Sequence, residues 1–125
     1  MIVGLGTDLI EVDRIRQSVE RYRDKFLKRV YTERESAYAM SKQNFAERLA
    51  GRFAVKEAGM KAIGTGWRRG VTWKDFEVVN EPGGRPILRL SGAAAQFAAA
   101  LGVKRLSVSI SHTPVTAMAV VILED

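Results

Sequence analysis

The chain has 125 residues, 46% hydrophobic and 27% charged, the profile of one folded domain rather than a disordered or low-complexity chain. It contains no cysteine, which excludes a disulfide framework and a thiolate metal site. Twenty Lys and Arg against 14 acidic residues give a net charge of +6 and a pI near 10.0, so an anionic partner is expected: nucleic acid, a phosphorylated ligand or an acidic protein. The first apolar run is interrupted at Asp8 and lacks a basic leader, so no signal peptide is predicted. No segment approaches the roughly 20 apolar residues of a membrane helix. The expectation is a single cytoplasmic domain over residues 1–125 with no membrane partner.

In chain order, IVGLGTDLIEV has the β-branched content and period of a strand ending near Asp8 or Leu9. Ile15, Val19, Tyr22 and Phe26 then recur at helical spacing, with Arg14, Arg16, Arg21, Arg23, Lys25 and Lys28 on the other sides. Thr32 followed by Glu35 is a capping-box pattern that opens a short helix. A longer helix is predicted over about Asn44 to Ile63, stopped at Gly64 or Gly66. FEVVN and PILRL read as strands joined by the turn EPGGR, and Ser91 caps a helix through Leu101. RLSVSISH alternates Leu106, Val108 and Ile110 with Ser107, Ser109 and Ser111, and TAMAVVILE is its partner strand. This order predicts an α+β fold, a small, largely antiparallel sheet packed with a long central helix and shorter helices.

The chemistry centres on FAVKEAGMKAIGTG, Phe53 to Gly66. At about 100° per residue, Glu57 falls near the middle of an apolar arc, while Lys56 and Arg52 fall towards its edge or outside. Lys61 lies one turn beyond Glu57. The pair reads either as a surface i,i+4 contact or as a buried carboxylate that needs a metal ion or Lys61 beside it. Asp8, at the end of the first strand, is either a cap for the next helix or a second carboxylate. Two such carboxylates suit Mg²⁺, which takes one or two protein carboxylates and completes its shell with water and phosphate oxygens. His112 is the only histidine, and no nucleophile elbow accompanies it; next to Thr113 it could hold a phosphate. Gly4–Gly6 lacks the third glycine of a dinucleotide fingerprint, and Gly64–Gly66 is either a helix stop or a close approach to a ligand.

Together, IVGLGTDLIEVDRI, LAGRFAVKEAGMKAIGTG, GGRPILRLSG, VSISHT and AMAVVILE resemble the holo-[acyl-carrier-protein] synthases, the short bacterial type of 4′-phosphopantetheinyl transferase. The resemblance spans nearly the whole chain, with Ile10 where larger relatives have a second acid. It implies transfer of the 4′-phosphopantetheine arm of coenzyme A to a serine of apo-acyl carrier protein, with release of adenosine 3′,5′-bisphosphate, in fatty acid biosynthesis. It implies Mg²⁺ on Asp8 and Glu57, Lys61 near the phosphates, and Arg52, Gly64, Thr65, Gly66, Pro86, His112 and Thr113 around the nucleotide. The base that takes the serine proton is Glu57, Asp8 or a metal-bound water. Arg14, Arg21 and Arg23 are implied as contacts for the acidic carrier protein. A homotrimer with sites between neighbouring subunits is also implied.

A nucleic-acid-binding protein would match the charge. However, aromatic residues are only 8% of the chain and are not interleaved with the basic ones on strands. It also leaves Glu57 unexplained, so nucleic acid is not expected as a partner.

Overall fold

The computed structural model describes residues 1–66 and 68–125. Strand β1 (Ile2–Glu11) leads into helices α1 (Val12–Tyr22), α2 (Asp24–Val30) and α3 (Glu33–Met40), then the long α4 (Phe45–Ile63). A 3₁₀ turn at Trp73–Asp75 precedes strands β2 (Phe76–Asn80) and β3 (Pro86–Leu90), helix α5 (Gly92–Ala100), and strands β4 (Arg105–His112) and β5 (Thr116–Glu124). The three-stranded sheet is ordered β1-β5-β4 and antiparallel throughout, and β2-β3 form a separate hairpin. This is the predicted α+β class. Among the described residues, no helix is long and apolar enough to cross a membrane.

Helix α4 carries alanine at every fourth position, Ala46, Ala50, Ala54, Ala58 and Ala62, all buried. That stripe lets the helix lie close on the sheet, where β5 offers Ala117 and Ala119, both fully enclosed. On β1, a Cβ at Gly6 would overlap the Ala58 carbonyl and one at Gly4 would crowd the Ala62 carbonyl. The GLG pair is therefore a packing device that seats the strand on the helix. Lys56, Glu57 and Lys61 are carried on a helix whose position over β1 is set by these small residues.

Several local expectations shift. Strand β1 runs on to Glu11 because its pairing with β5 continues to Thr116. The predicted first helix is two, broken at Arg23, which adopts φ 48°. The break brings Phe26 edge-on to the buried Tyr31, ring centres 5.8 Å apart. The Thr32–Glu35 capping box forms as predicted. Ser91 makes no side-chain cap; Asp75 Oδ2 instead accepts from the Ala94 N–H at 3.2 Å.

Candidate active site

The end of β1 meets the C-terminal half of α4 at Asp8, Glu57 and Lys61. Lys61 Nζ donates to the Thr7 carbonyl at 2.9 Å and to Asp8 Oδ1 at 3.3 Å. The lysine side chain is 59% exposed against 17% for Asp8, so an open ammonium covers a sheltered carboxylate. Glu57 is half-buried, and its Oε2 accepts from the Trp73 indole N–H at 2.9 Å. Burial raises the Glu57 pKa and the Asp8 charge pushes the same way, while the Trp73 hydrogen bond and Lys61 oppose them. The i,i+4 reading fails in one respect: Lys61 makes its ion pair with Asp8 across to β1.

Among the described residues, no three His, Cys, Asp or Glu side chains cluster as a metal cage. Two neighbouring carboxylates with an open side are the donor set that suits Mg²⁺ and poorly suits a transition metal, which favours imidazole or thiolate. The residues present therefore fit a magnesium ion that draws its remaining ligands from water and a phosphorylated substrate. Gly64 ends α4 just beyond Lys61 in the left-handed conformation, φ 80°, with its N–H on the Met60 and Lys61 carbonyls. Thr65 and Gly66 continue this loop, Thr65 Oγ1 donating to the Gly66 carbonyl at 2.8 Å.

The other predicted ligand residues gather elsewhere. Arg52, Pro86 and His112 line a cleft of about 150 Å³ with Glu47, Arg48 and Asn80. Arg52 donates to Asn80 Oδ1 at 2.6 Å and lies over the Tyr38 ring at 4.6 Å. Its Nε is buried without a hydrogen-bond partner, and burial lowers its pKa. His112 Nδ1 is 3.5 Å from Glu47 Oε1, an ion pair whenever the imidazole is protonated. Thr113 closes the β4–β5 turn, its hydroxyl oxygen accepting from the Val115 and Thr116 N–H groups. Arg52 and Glu57 are five residues apart on α4, about 140° around its axis. The two groups of predicted residues thus lie on different sides of the same helix. Arg14 and Arg21 border an exposed groove on α1 with Gln17 and Tyr22, and Arg23 is exposed at the helix break.

The apolar-arc reading misplaces two charges. Lys56 is 0% exposed and Arg52 5%, whereas Glu57 is only half-buried. From Leu49 to Ile63 the partly exposed stripe of α4 is Phe53, Glu57 and Lys61, so an apolar residue sits on the open side and residue type alone does not mark the buried one. Trp73, Asn80 and Glu47 also escaped the sequence reading. Trp73 lay beside one available signal, the Thr72–Asp75 spacing that closes its turn, with Thr72 Oγ1 3.1 Å from Asp75 Oδ1.

Residues 4–119 match the model of the 4′-phosphopantetheinyl transferase superfamily. A holo-[acyl-carrier-protein] synthase of Solibacter usitatus is 62% identical over 125 residues, all of both chains. Among solved structures, the holo-[acyl-carrier-protein] synthase of Neisseria meningitidis has a TM-score of 0.90 at 31% identity, covering 100% of both chains. The Bacillus anthracis holo-(acyl-carrier-protein) synthase, in complex with CoA (3′,5′-ADP), has a TM-score of 0.81 at 40% identity, covering 98% of this chain and 96% of its own.

Proposed function

The chain belongs to the 4′-phosphopantetheinyl transferase superfamily, and from that premise we propose that it is a holo-[acyl-carrier-protein] synthase. It moves the 4′-phosphopantetheine arm of coenzyme A to a serine of apo-acyl carrier protein and releases adenosine 3′,5′-bisphosphate. The observation that carries this reading is the cluster in which Lys61 bridges Thr7 and Asp8 next to Glu57. It offers two carboxylates and a mobile cation to a pyrophosphate.

Asp8 and Glu57 would hold Mg²⁺, which when bound neutralises charge on the pyrophosphate oxygens. Lys61 sits on a flexible stem at the surface and exchanges the Thr7 carbonyl for a phosphate oxygen as substrate enters. The serine oxygen bonds to the phosphorus that bears the pantetheine arm. The bond from that phosphorus to the bridging oxygen breaks, the oxygen leaves with its electron pair on adenosine 3′,5′-bisphosphate, and the serine hydroxyl gives up its proton. That proton goes to Glu57, Asp8 or a water bound beside them. Arg52 and Arg48 supply positive charge for the nucleotide phosphates, and His112 and Pro86 bound the same cleft.

The two half-sites face different sides of α4, which favours an assembly in which one subunit's Asp8 cluster completes its neighbour's Arg52–His112 cleft. The outer face of the three-stranded sheet supports the same reading. It leaves Leu5 59%, Leu9 70% and Met118 39% exposed beside Ser107, Ser109 and Ser111. A homotrimer of these single-domain chains, residues 1–125, is the assembly proposed. Its substrates put the enzyme in the cytoplasm and in fatty acid biosynthesis.

The deciding experiment is mass spectrometry of several apo-carrier proteins incubated with the enzyme, coenzyme A and Mg²⁺. A gain of one phosphopantetheine arm is expected, and no gain on any carrier would refute the reading. Asp8→Ala and Glu57→Ala should each abolish the gain while the circular dichroism spectrum stays that of the wild type.

A further inference from the structure

Glu57 is a long side chain with three rotatable bonds, and sharing a ligand with Asp8 requires its carboxylate to hold one orientation. A single donor does this: the Trp73 indole N–H, 2.9 Å from Oε2. The indole has no other polar atom and cannot itself ligate a metal or accept a proton. It occupies Oε2 and leaves Oε1 available to a ligand.

The indole is itself held on three sides. Phe53 stacks on it, ring centres 6.4 Å apart and planes 25° apart, and the Arg29 guanidinium lies 5.7 Å from the ring centre. Its backbone is gripped from below, because Lys56 Nζ donates to the Trp73 carbonyl at 3.1 Å and also to the Phe76 carbonyl. Lys56 is in turn anchored by Glu35 Oε1 at 2.7 Å. Lys56 and Glu57 are consecutive on α4. The contacts therefore close a ring: from α4 through Lys56 to the Trp73 backbone, out along the indole, and back to α4 at Glu57.

We propose that Trp73 is a positioning residue for the Glu57 carboxylate, with Lys56 fixing the backbone that carries the indole. This rests on the reading of Glu57 as a metal-holding carboxylate. A tryptophan that merely fills space would need no such alignment, and any partner would satisfy its N–H. Here the partner is a proposed ligand itself, the arrangement in which outer contacts tune a metal site.

Trp73→Phe keeps an aromatic ring against Phe53 and removes the donor. Mn²⁺ serves as the probe, titrated by electron paramagnetic resonance into the assembled enzyme with coenzyme A present. Wild type should bind it. Trp73→Phe should bind about 10- to 100-fold more weakly, with its melting temperature within a few degrees of wild type. On a Glu57→Ala background the same change should have no further effect, since the donor acts only through that carboxylate. Equal Mn²⁺ affinity in Trp73→Phe and wild type, with Glu57→Ala weakened, overturns the role of Trp73. Failure of Glu57→Ala to weaken Mn²⁺ overturns the metal reading of Glu57 and the proposal with it. If Trp73→Phe does not fold, the indole ¹H–¹⁵N signals decide. The chain has two tryptophans, and the Trp73 signal should move between wild type and Glu57→Ala; an unmoved signal overturns the proposal.

Discussion

Lys56 Nζ donates to Glu35 Oε1 at 2.7 Å with both side chains 0% exposed, the one ion pair among the described residues with both partners fully enclosed. Lys56 spends its other donors on the Trp73 and Phe76 carbonyls. Glu35 Oε1 also accepts from the Thr32 N–H and Oε2 from the Val78 N–H, so one carboxylate ties α3 to α4 and β2. Removing either partner strands a buried charge, at a cost of about 3–5 kcal/mol. Glu35→Ala and Lys56→Met should each lower the unfolding free energy from urea denaturation by that order at fixed protein concentration. The double variant Glu35→Ala/Lys56→Met should lose less than the sum of the two single losses. Additive losses would mean that the pair is not coupled.

Tyr31 gives the alkaline limb of stability. Its hydroxyl is buried and donates to the Leu49 carbonyl at 2.8 Å, and burial raises its pKa well above the ordinary 10.0, with the Glu35 charge adding to the rise. The folded state thus keeps the phenol proton where the unfolded chain has lost it. The stability associated with this group is fully present below pH 10.0 and is lost as pH rises from there through the raised folded value. Tyr31→Phe should cost about 1 kcal/mol at neutral pH, for the lost hydrogen bond. That deficit should shrink above pH 10, because the variant has no phenol to ionise. Denaturation of both proteins at pH 8, 10 and 11 checks it; a constant difference across the series would contradict the burial effect.

How much of this was legible depends on which interactions are local. The Thr32–Glu35 cap, the Gly64 stop and the Leu106/Ser107 alternation are short-range patterns, and all three appear in the fold. Glu57 falls in the apolar arc of a wheel yet lies on the partly exposed stripe of α4, because Phe53, apolar in type, shares that stripe with it and Lys61. Lys56 had no visible role, since its partner Glu35 lies 21 residues away and the carbonyls it satisfies belong to residues 73 and 76. Pairings across such separations leave no periodic trace. Asp8 and Lys61, 53 residues apart, could be linked only through the family resemblance.

The basic face of α1 supports a prediction about specificity. Arg14 and Arg21 are exposed, and the adjoining groove is lined by Ser18, Tyr22, Lys25, Phe26 and Arg29. An acidic helix of the carrier protein would gain electrostatic steering there without touching the nucleotide cleft. Arg14→Glu should raise KM for the carrier protein roughly tenfold and leave KM for coenzyme A nearly unchanged. The penalty should fall as ionic strength rises, since exposed charges are screened within a Debye length. Steady-state kinetics with each substrate varied separately tests this. Equal losses for both substrates would assign Arg14 to something other than carrier docking.

The division of the proposed ligand residues around α4 allows a test of shared sites that needs no structure of the assembly. Glu57→Ala damages the carboxylate half-site and leaves the His112 cleft intact; His112→Ala combined with Arg52→Ala does the reverse. Each variant alone should be nearly inactive. If the two halves meet between subunits, mixing the variants under denaturant and refolding them together builds interfaces where an intact carboxylate half faces an intact cleft. Random assembly in a closed cyclic oligomer makes about one interface in four of that kind. Coenzyme A transfer should therefore recover to about a quarter of wild type. Lowering the fraction of either variant should reduce the recovery as the product of the two fractions. No recovery from refolded mixtures, with sedimentation confirming that mixed oligomers form, would mean that each chain completes its own site.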